Sequence, residues 1–336
     1  MRRLLLRALA LFLALFLAGC APKPPSGTLP VRLAVGGQGQ LIYLSVTLAQ
    51  ELGFYNQAGL DVSLQDFPGG AKSLEALLGG SADVVCGFYD HAIQMAAQGQ
   101  EIRAFVSILR YPGLVAVSGN SAVARIEDLK GKIVGVSAAG SSTQMFLNYL
   151  LVTHGLKPSD VSVASVSLGA TAVAAVTRGR VDVAIMTDPG IDLVRKQLPS
   201  AAILADTRTA EGVRAIFGVD VYPSTVLYST GTWLSAHPKE ARALARALRQ
   251  TVDWMRSHTP EEIRGRQPPR FRTEDAAADL EALRSMQAML SPDGRLTPES
   301  AAMVRKVLDI SLDSVRGATI DLARTYTNEF VQDPIK

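Results

Sequence analysis

Cysteine, aromatic side chains and charge are all sparse in this chain. Two cysteines among 336 residues cannot build a disulfide scaffold. Charged residues make up 19% and aromatics 6%, against 48% hydrophobic residues. So little charge beside so many aliphatics excludes disorder as the main state. The apolar run Ala8 to Ala18 has eleven residues, short of the roughly 20 that cross a bilayer. His91, His154, His237 and His258 lie far apart without metal-ligand spacing, so no metal is expected. A Gly-x-Ser-x-Gly elbow and a P-loop are both missing. The formal charge of +3 comes from Arg2, Arg3 and Arg7; the rest of the chain balances at 31 basic and 31 acidic residues. That balance leaves no electrostatic footprint for nucleic acid.

What is present begins at the N-terminus. Three arginines, the apolar run and then Leu17-Ala18-Gly19-Cys20 read as an export signal over residues 1–19. The last four residues resemble the lipobox of bacterial lipoproteins. That resemblance implies cleavage before Cys20, acylation of its sulfur and new amino group, and attachment to a membrane outside the cytoplasm. Residues 20–30 suit a tether, since Pro22, Pro24 and Pro25 keep it extended. Outside the cytoplasm nucleotides are scarce, and no cofactor is expected. Cys86, in the apolar stretch Asp83-Val84-Val85-Cys86-Gly87, is expected to behave as a small buried hydrophobe.

After the tether, short β-type runs alternate with helical ones, which predicts parallel α/β layers. Strands are expected at Val31 to Gly36, Asp61 to Phe67, Asp83 to Gly87 and Ala104 to Leu109. The pattern then restarts, with strands at Lys132 to Ser137, Val161 to Ser167 and Val181 to Met186. Two such blocks, and a length suited to two domains, give lobe one as 31–117 plus 223–336 and lobe two as 118–222. Crossings are expected near Leu114 to Ser118 and Pro223 to Ser229. Beyond Ser235 the chain reads as helical: Ala241, Leu244, Ala245, Leu248, Val252 and Met255 recur at helical spacing.

Several stretches then appear in an order that resembles one family. They are Gly53-Phe54-Tyr55, Gly59-Leu60-Asp61-Val62, Gly80-Ser81-Ala82-Asp83-Val84, Asp128-Leu129-Lys130-Gly131-Lys132, Gly179-Arg180-Val181-Asp182-Val183, Asp188-Pro189 and His237-Pro238-Lys239-Glu240. Together they are similar to solute-binding proteins of the nitrate/sulfonate/taurine family of ABC importers. The resemblance implies a type II periplasmic-binding-protein (Venus-flytrap) fold, in which two α/β lobes joined by two crossover strands close on a small-molecule ligand. It also implies delivery to a membrane permease and its ATPase, by a protein expected to be a monomer. A related expectation is a ligand such as a nitrate- or sulfonate-like anion, or a pyrimidine.

Ligands in open α/β sheets bind beyond the carboxyl ends of strands, which selects the candidate contacts. Gln38, Gly39 and Gln40 follow the first strand, and Gly70 opens a helix. Ser141, Ser142 and Thr143 form the matching loop of lobe two, with Ser141 also able to cap its helix against Gln144. Phe88, Tyr89 and Asp90 follow the strand containing Cys86, and Asp90 either caps the next helix or faces the cleft. Asp188 could accept from a ligand amine or hydroxyl, or cap. Arg110 and Tyr111 adjoin a crossing and could clamp an anion, while Lys72 reads as solvated. The rival readings are a thiamine-pyrimidine synthase on the same fold, which would need a Cys-rich segment absent here, and a ligand-sensing lobe.

Overall fold

The computed structural model describes residues 27–331, so the export signal, Cys20 and the tether through Ser26 lie outside the described residues. The strands in chain order are β1 (Leu29–Val35), β2 (Leu60–Asp66), β3 (Val84–Phe88), β4 (Ile102–Ser107), β5 (Val115–Ser118), β6 (Ile133–Val136), β7 (Ser162–Ser165), β8 (Val183–Met186), β9 (Ala202–Asp206) and β10 (Thr225–Thr230). They form two five-stranded sheets, ordered β2-β1-β3-β10-β4 and β7-β6-β8-β5-β9.

The sheets are built alike. In the first, β1 runs parallel to β2 and β3, and β10 runs antiparallel to β3 and β4. In the second, β6 runs parallel to β7 and β8, and β5 runs antiparallel to β8 and β9. The antiparallel strand of each sheet is the one the chain enters on arriving from the other. The central strands β3 and β8 are apolar throughout and wholly buried, as expected where helices cover both faces.

This pairing corrects the expected border. Val115–Ser118 lies entirely in the second sheet, so the crossing ends by Leu114 and lobe two begins there. Of the crossing expected near Pro223 to Ser229, the residues from Thr225 onward belong to β10 in the first sheet. The connecting segments run side by side just before these strands. Tyr222 N donates to Arg110 O at 3.0 Å, and Ser224 N donates to Leu109 O at 3.0 Å.

The C-terminal helices are Pro238–Ser257, Pro260–Arg266, Ala276–Met289 and Pro298–Ser311. The first starts with proline where no amide partner is needed and buries Ala241, Leu244, Leu248, Val252 and Met255 completely. It packs on Leu44–Glu51 of lobe one. Pro298–Ser311 does not stay with lobe one as expected: it packs on Asp90–Ala97 and also on Ser142–Thr153 of lobe two.

Candidate functional site

The carboxyl ends of the parallel strands of both sheets meet at one seam. Lobe one brings Gly36–Gln40 after β1, Gly69-Gly70 after β2 and Tyr89-Asp90 after β3. Lobe two brings Ser137–Thr143 after β6, Ser167–Gly169 after β7 and Thr187–Pro189 after β8. Ser142 Oγ donates to Asp90 Oδ1 at 2.8 Å, and Thr187 Oγ1 donates to Gln40 Oε1 at 2.7 Å. Ala71 N donates to Ser141 Oγ at 3.0 Å, Ser167 Oγ to Pro68 O at 3.1 Å, and Leu41 N to Asp188 O at 3.2 Å.

Between these contacts lies an inner cavity of about 20 Å³. Its walls include Ile42, Tyr43, Phe88 and Leu168 on the apolar side and Ser137, Ser142 and Thr187 on the polar side. None of its lining side chains carries a positive charge. A second void of about 10 Å³ adjoins Phe88, Asp90 and Ser142, and Val307 and Leu308 of the helix Pro298–Ser311 help to close it. An open groove of about 570 Å³ lies outside Leu168.

Two buried carboxyls set the electrostatics. Burial pushes Asp90 above its ordinary range, against the opposing pull of His91 and the Ser142 hydrogen bond. Burial likewise pushes Asp188 up to about 6, with Arg208 opposing it. Arg208 Nη1 lies 3.3 Å from both Asp188 oxygens, and its Nε and Nη2 hold Asp206. His91 is fully buried, its imidazole held low by burial, with Nδ1 3.2 Å from Tyr228 Oη. Cys86 is buried and its thiol is pushed up by burial alone.

The expected site residues divide into those that reach the seam and those that do not. Gln40, Gly70, Phe88, Asp90, Ser141, Ser142 and Thr143 are brought together there. Asp90 is the first residue of its helix rather than the cap, so its side chain is free to face lobe two. Ser141 forms no cap hydrogen bond to its own helix and reaches lobe one instead, while Gln144 Oε1 accepts from Gly140 N. Gly39 lies on the outer groove.

Three placements are corrected. Gln38 turns into lobe one, its N donating to Asp66 and its Nε2 to Thr47. Tyr89 turns the opposite way from Phe88, its Oη hydrogen-bonded to Thr325 Oγ1 at 2.5 Å. The Asp188 carboxylate pairs with Arg208 and lines neither inner void. Arg110 and Tyr111 form no clamp in the inner cavity: Arg110 donates to Ala288 O and lies over the Tyr111 ring. Lys72 pairs with Glu75 in solvent.

Ser137, Thr187, Leu168 and Arg208 also belong to the region, and no motif in the sequence marks them. Arg208 follows β9, and its signal in the sequence is the short extended run Ala202–Asp206 that precedes it.

A model of the NMT1/THI5-like family matches residues 43–263. The chain belongs to that family. Among curated relatives, 4-amino-5-hydroxymethyl-2-methylpyrimidine phosphate synthase of Uromyces fabae is 24% identical over 63% of this chain and 63% of its own length. The chain thus spans under two thirds of the synthases that it matches. The putative binding protein YtlA of Bacillus subtilis is 22% identical over 90% of this chain and 89% of its own. A solved structure from Bordetella bronchiseptica RB50 is 37% identical, with a TM-score of 0.86 over 90% of this chain and 95% of that one. The alkanesulfonate-binding protein SsuA of Xanthomonas axonopodis pv. citri, bound to MOPS, is 20% identical, with a TM-score of 0.68 over 89% and 98%. NMT1/THI5-like membership and these structural neighbours agree with the nitrate/sulfonate/taurine resemblance, and the fold is the periplasmic-binding-protein fold.

Proposed function

We propose that this NMT1/THI5-like chain is the extracytoplasmic solute-binding component of an ABC importer. It captures a small molecule at the seam between its lobes and presents the closed form to a membrane permease. Lipid on Cys20 keeps it at the membrane surface, and it acts as a monomer without cofactor. The observation that carries this reading is the seam itself: backbone amides, hydroxyls and one buried carboxyl from both lobes converge beyond the strand ends, on either side of a paired connection.

The cavity of about 20 Å³ has room for about one water molecule. A bound solute therefore needs more room than the seam now leaves, and closure requires that it bind the closed form better than the open one. Its groups must replace the bonds that Ser142, Thr187 and Ser141 now make across the seam.

Of the two ligand classes, the lining favours a flat nitrogen heterocycle with donor groups over a free oxyanion. Tyr43 and Phe88 supply apolar surface, Asp90 beside the adjoining void supplies an acceptor, and the nearby cation Arg208 is already shared between Asp188 and Asp206. An anion would rely on helix N-terminal amides, worth about 0.3–1 kcal/mol, beside a buried acid.

The synthase relatives supply the second reading. Cys86, the one cysteine among the described residues, offers no exposed thiol for such chemistry. Isothermal titration of the purified protein with 4-amino-5-hydroxymethyl-2-methylpyrimidine, taurine and nitrate tests the proposal. The heterocycle is expected to bind near the micromolar range, about −8.2 kcal/mol, and Asp90→Asn to weaken it at least about tenfold. Binding of nitrate or taurine alone overturns the ligand class. Conversion of any solute by the isolated protein overturns the transport reading.

A further inference from the structure

Leu168 stands between two spaces: it lines both the inner cavity and the open groove of about 570 Å³. It sits at the centre of the loop that follows β7, and the backbone on both sides of it is unusual. Ser167 has φ of 58°, the one non-glycine with positive φ among the described residues, and Gly169 has φ of 73°. A left-handed non-glycine residue persists only where its surroundings over-determine it.

Here they do so from both lobes. Ser167 N donates to Ser137 O at 3.1 Å within lobe two, and Ser167 Oγ donates to Pro68 O in lobe one at 3.1 Å. A Cβ on Gly37 would stand 3.4 Å from Leu168 Cδ1, and one on Gly169 would stand 3.1 Å from Gln40 Nε2. The loop from lobe two therefore lies directly on the β1 loop of lobe one, with the Leu168 isobutyl group pointed at the join. The groove on its other side is lined by Phe67, Pro68, Phe271, Gly37 and Gly39 and is open over about 570 Å³.

We propose that Leu168 is the size gate of the solute site. With the lobes closed, exchange with solvent passes this side chain. A solute longer than the inner cavity closes the lobes only by pushing Leu168 into the groove and leaving its substituent there. The displaced side chain enlarges the inner cavity towards the groove, and a polar substituent of the solute then lies against Arg270 and Asp66. This inference rests on reading the seam as a solute site, but the test needs no solute.

A thiol is placed on the inner wall by Ser137→Cys in the full chain, with Cys20→Ala removing the acylation site so that the one other thiol is buried Cys86. Labelling is timed with methyl methanethiosulfonate and with fluorescein maleimide, and the same chain without Ser137→Cys sets the background. Leu168→Ala is expected to speed the bulky reagent at least about tenfold, a barrier change of about 1.4 kcal/mol, and the small reagent less. Leu168→Phe is expected to slow both. Should Leu168→Ala unfold the protein, the background chain reports it through Cys86, and the Leu168→Phe rates still decide. Rates that ignore residue 168 overturn the gate, because access then occurs by parting of the lobes alone. Gate-dependent labelling in a protein that binds none of the titrated solutes would instead remove the solute assignment and leave the gate.

Discussion

Asp188 shows how one side chain links the seam to pH. Its carboxyl is pushed up to about 6 by burial, whereas an unfolded chain holds Asp near 3.9. Between those values the folded state binds more protons than the unfolded one, so stability falls as pH rises through the window. Acidifying from pH 7 towards pH 5 is therefore expected to raise the melting temperature more in the native protein than in Asp188→Asn. Parallel melting profiles of the two proteins across that range would show that Arg208 cancels the burial effect. The same residue marks what the sequence could and could not disclose. An acid after a strand is readable as a site residue, but its partner, twenty positions on, becomes visible only once β9 is placed beside β5. Phe88 and Tyr89 teach a related point. Strand β3 ends at Phe88 and the backbone turns helical at Tyr89, with φ of −65° and ψ of −27°, so the two rings part and Phe88 is the one that lines the inner cavity.

At the scale of elements, the site depends on how closely the end of β1 approaches the helix Gly70–Leu78. A Cβ on Gly36 would fall 2.6 Å from Gly70 N and 2.8 Å from Gly69 C, both backbone atoms that no rotamer change relieves. Gly36→Ala is expected to cost about 1–3 kcal/mol, the range for overpacking a filled interior, and to carry Gly70 away from the cavity. A urea midpoint unchanged from the native protein would show that the helix start yields freely. Hydrophobic periodicity made most strands and the long helix Pro238–Ser257 legible, because each is specified by its own residues. Sheet membership was less so. Val115–Ser118 reads as an apolar extended run, but whether it ends lobe one or begins lobe two is decided by partners near residues 184 and 203. For the same reason the docking of Pro298–Ser311 on both lobes could not be read from its amphipathic pattern, which shows that a face is buried and not against what.

For the molecule as a whole, the question is what holds the lobes together. The connection Leu109–Tyr111 beside Tyr222–Ser224 and the helix Pro298–Ser311 link them continuously, whereas the seam contributes a handful of hydrogen bonds. At about 0.5–1.5 kcal/mol net for each bond, removing two of them amounts to about 2 kcal/mol. That is a shift of about thirtyfold between closed and open forms. The double variant Ser142→Ala, Thr187→Val removes the donors to Asp90 and Gln40 while sparing the connection and the helix. Small-angle scattering is expected to show a larger radius of gyration for this variant than for the native protein. Its melting transition should remain cooperative, because the cores of both sheets are untouched. An unchanged radius would mean that the connection and the bridging helix fix the lobe angle by themselves. Solute would then have to reach the cavity past Leu168 rather than through an opening seam, and the thiol-labelling rates would have to depend on residue 168 accordingly.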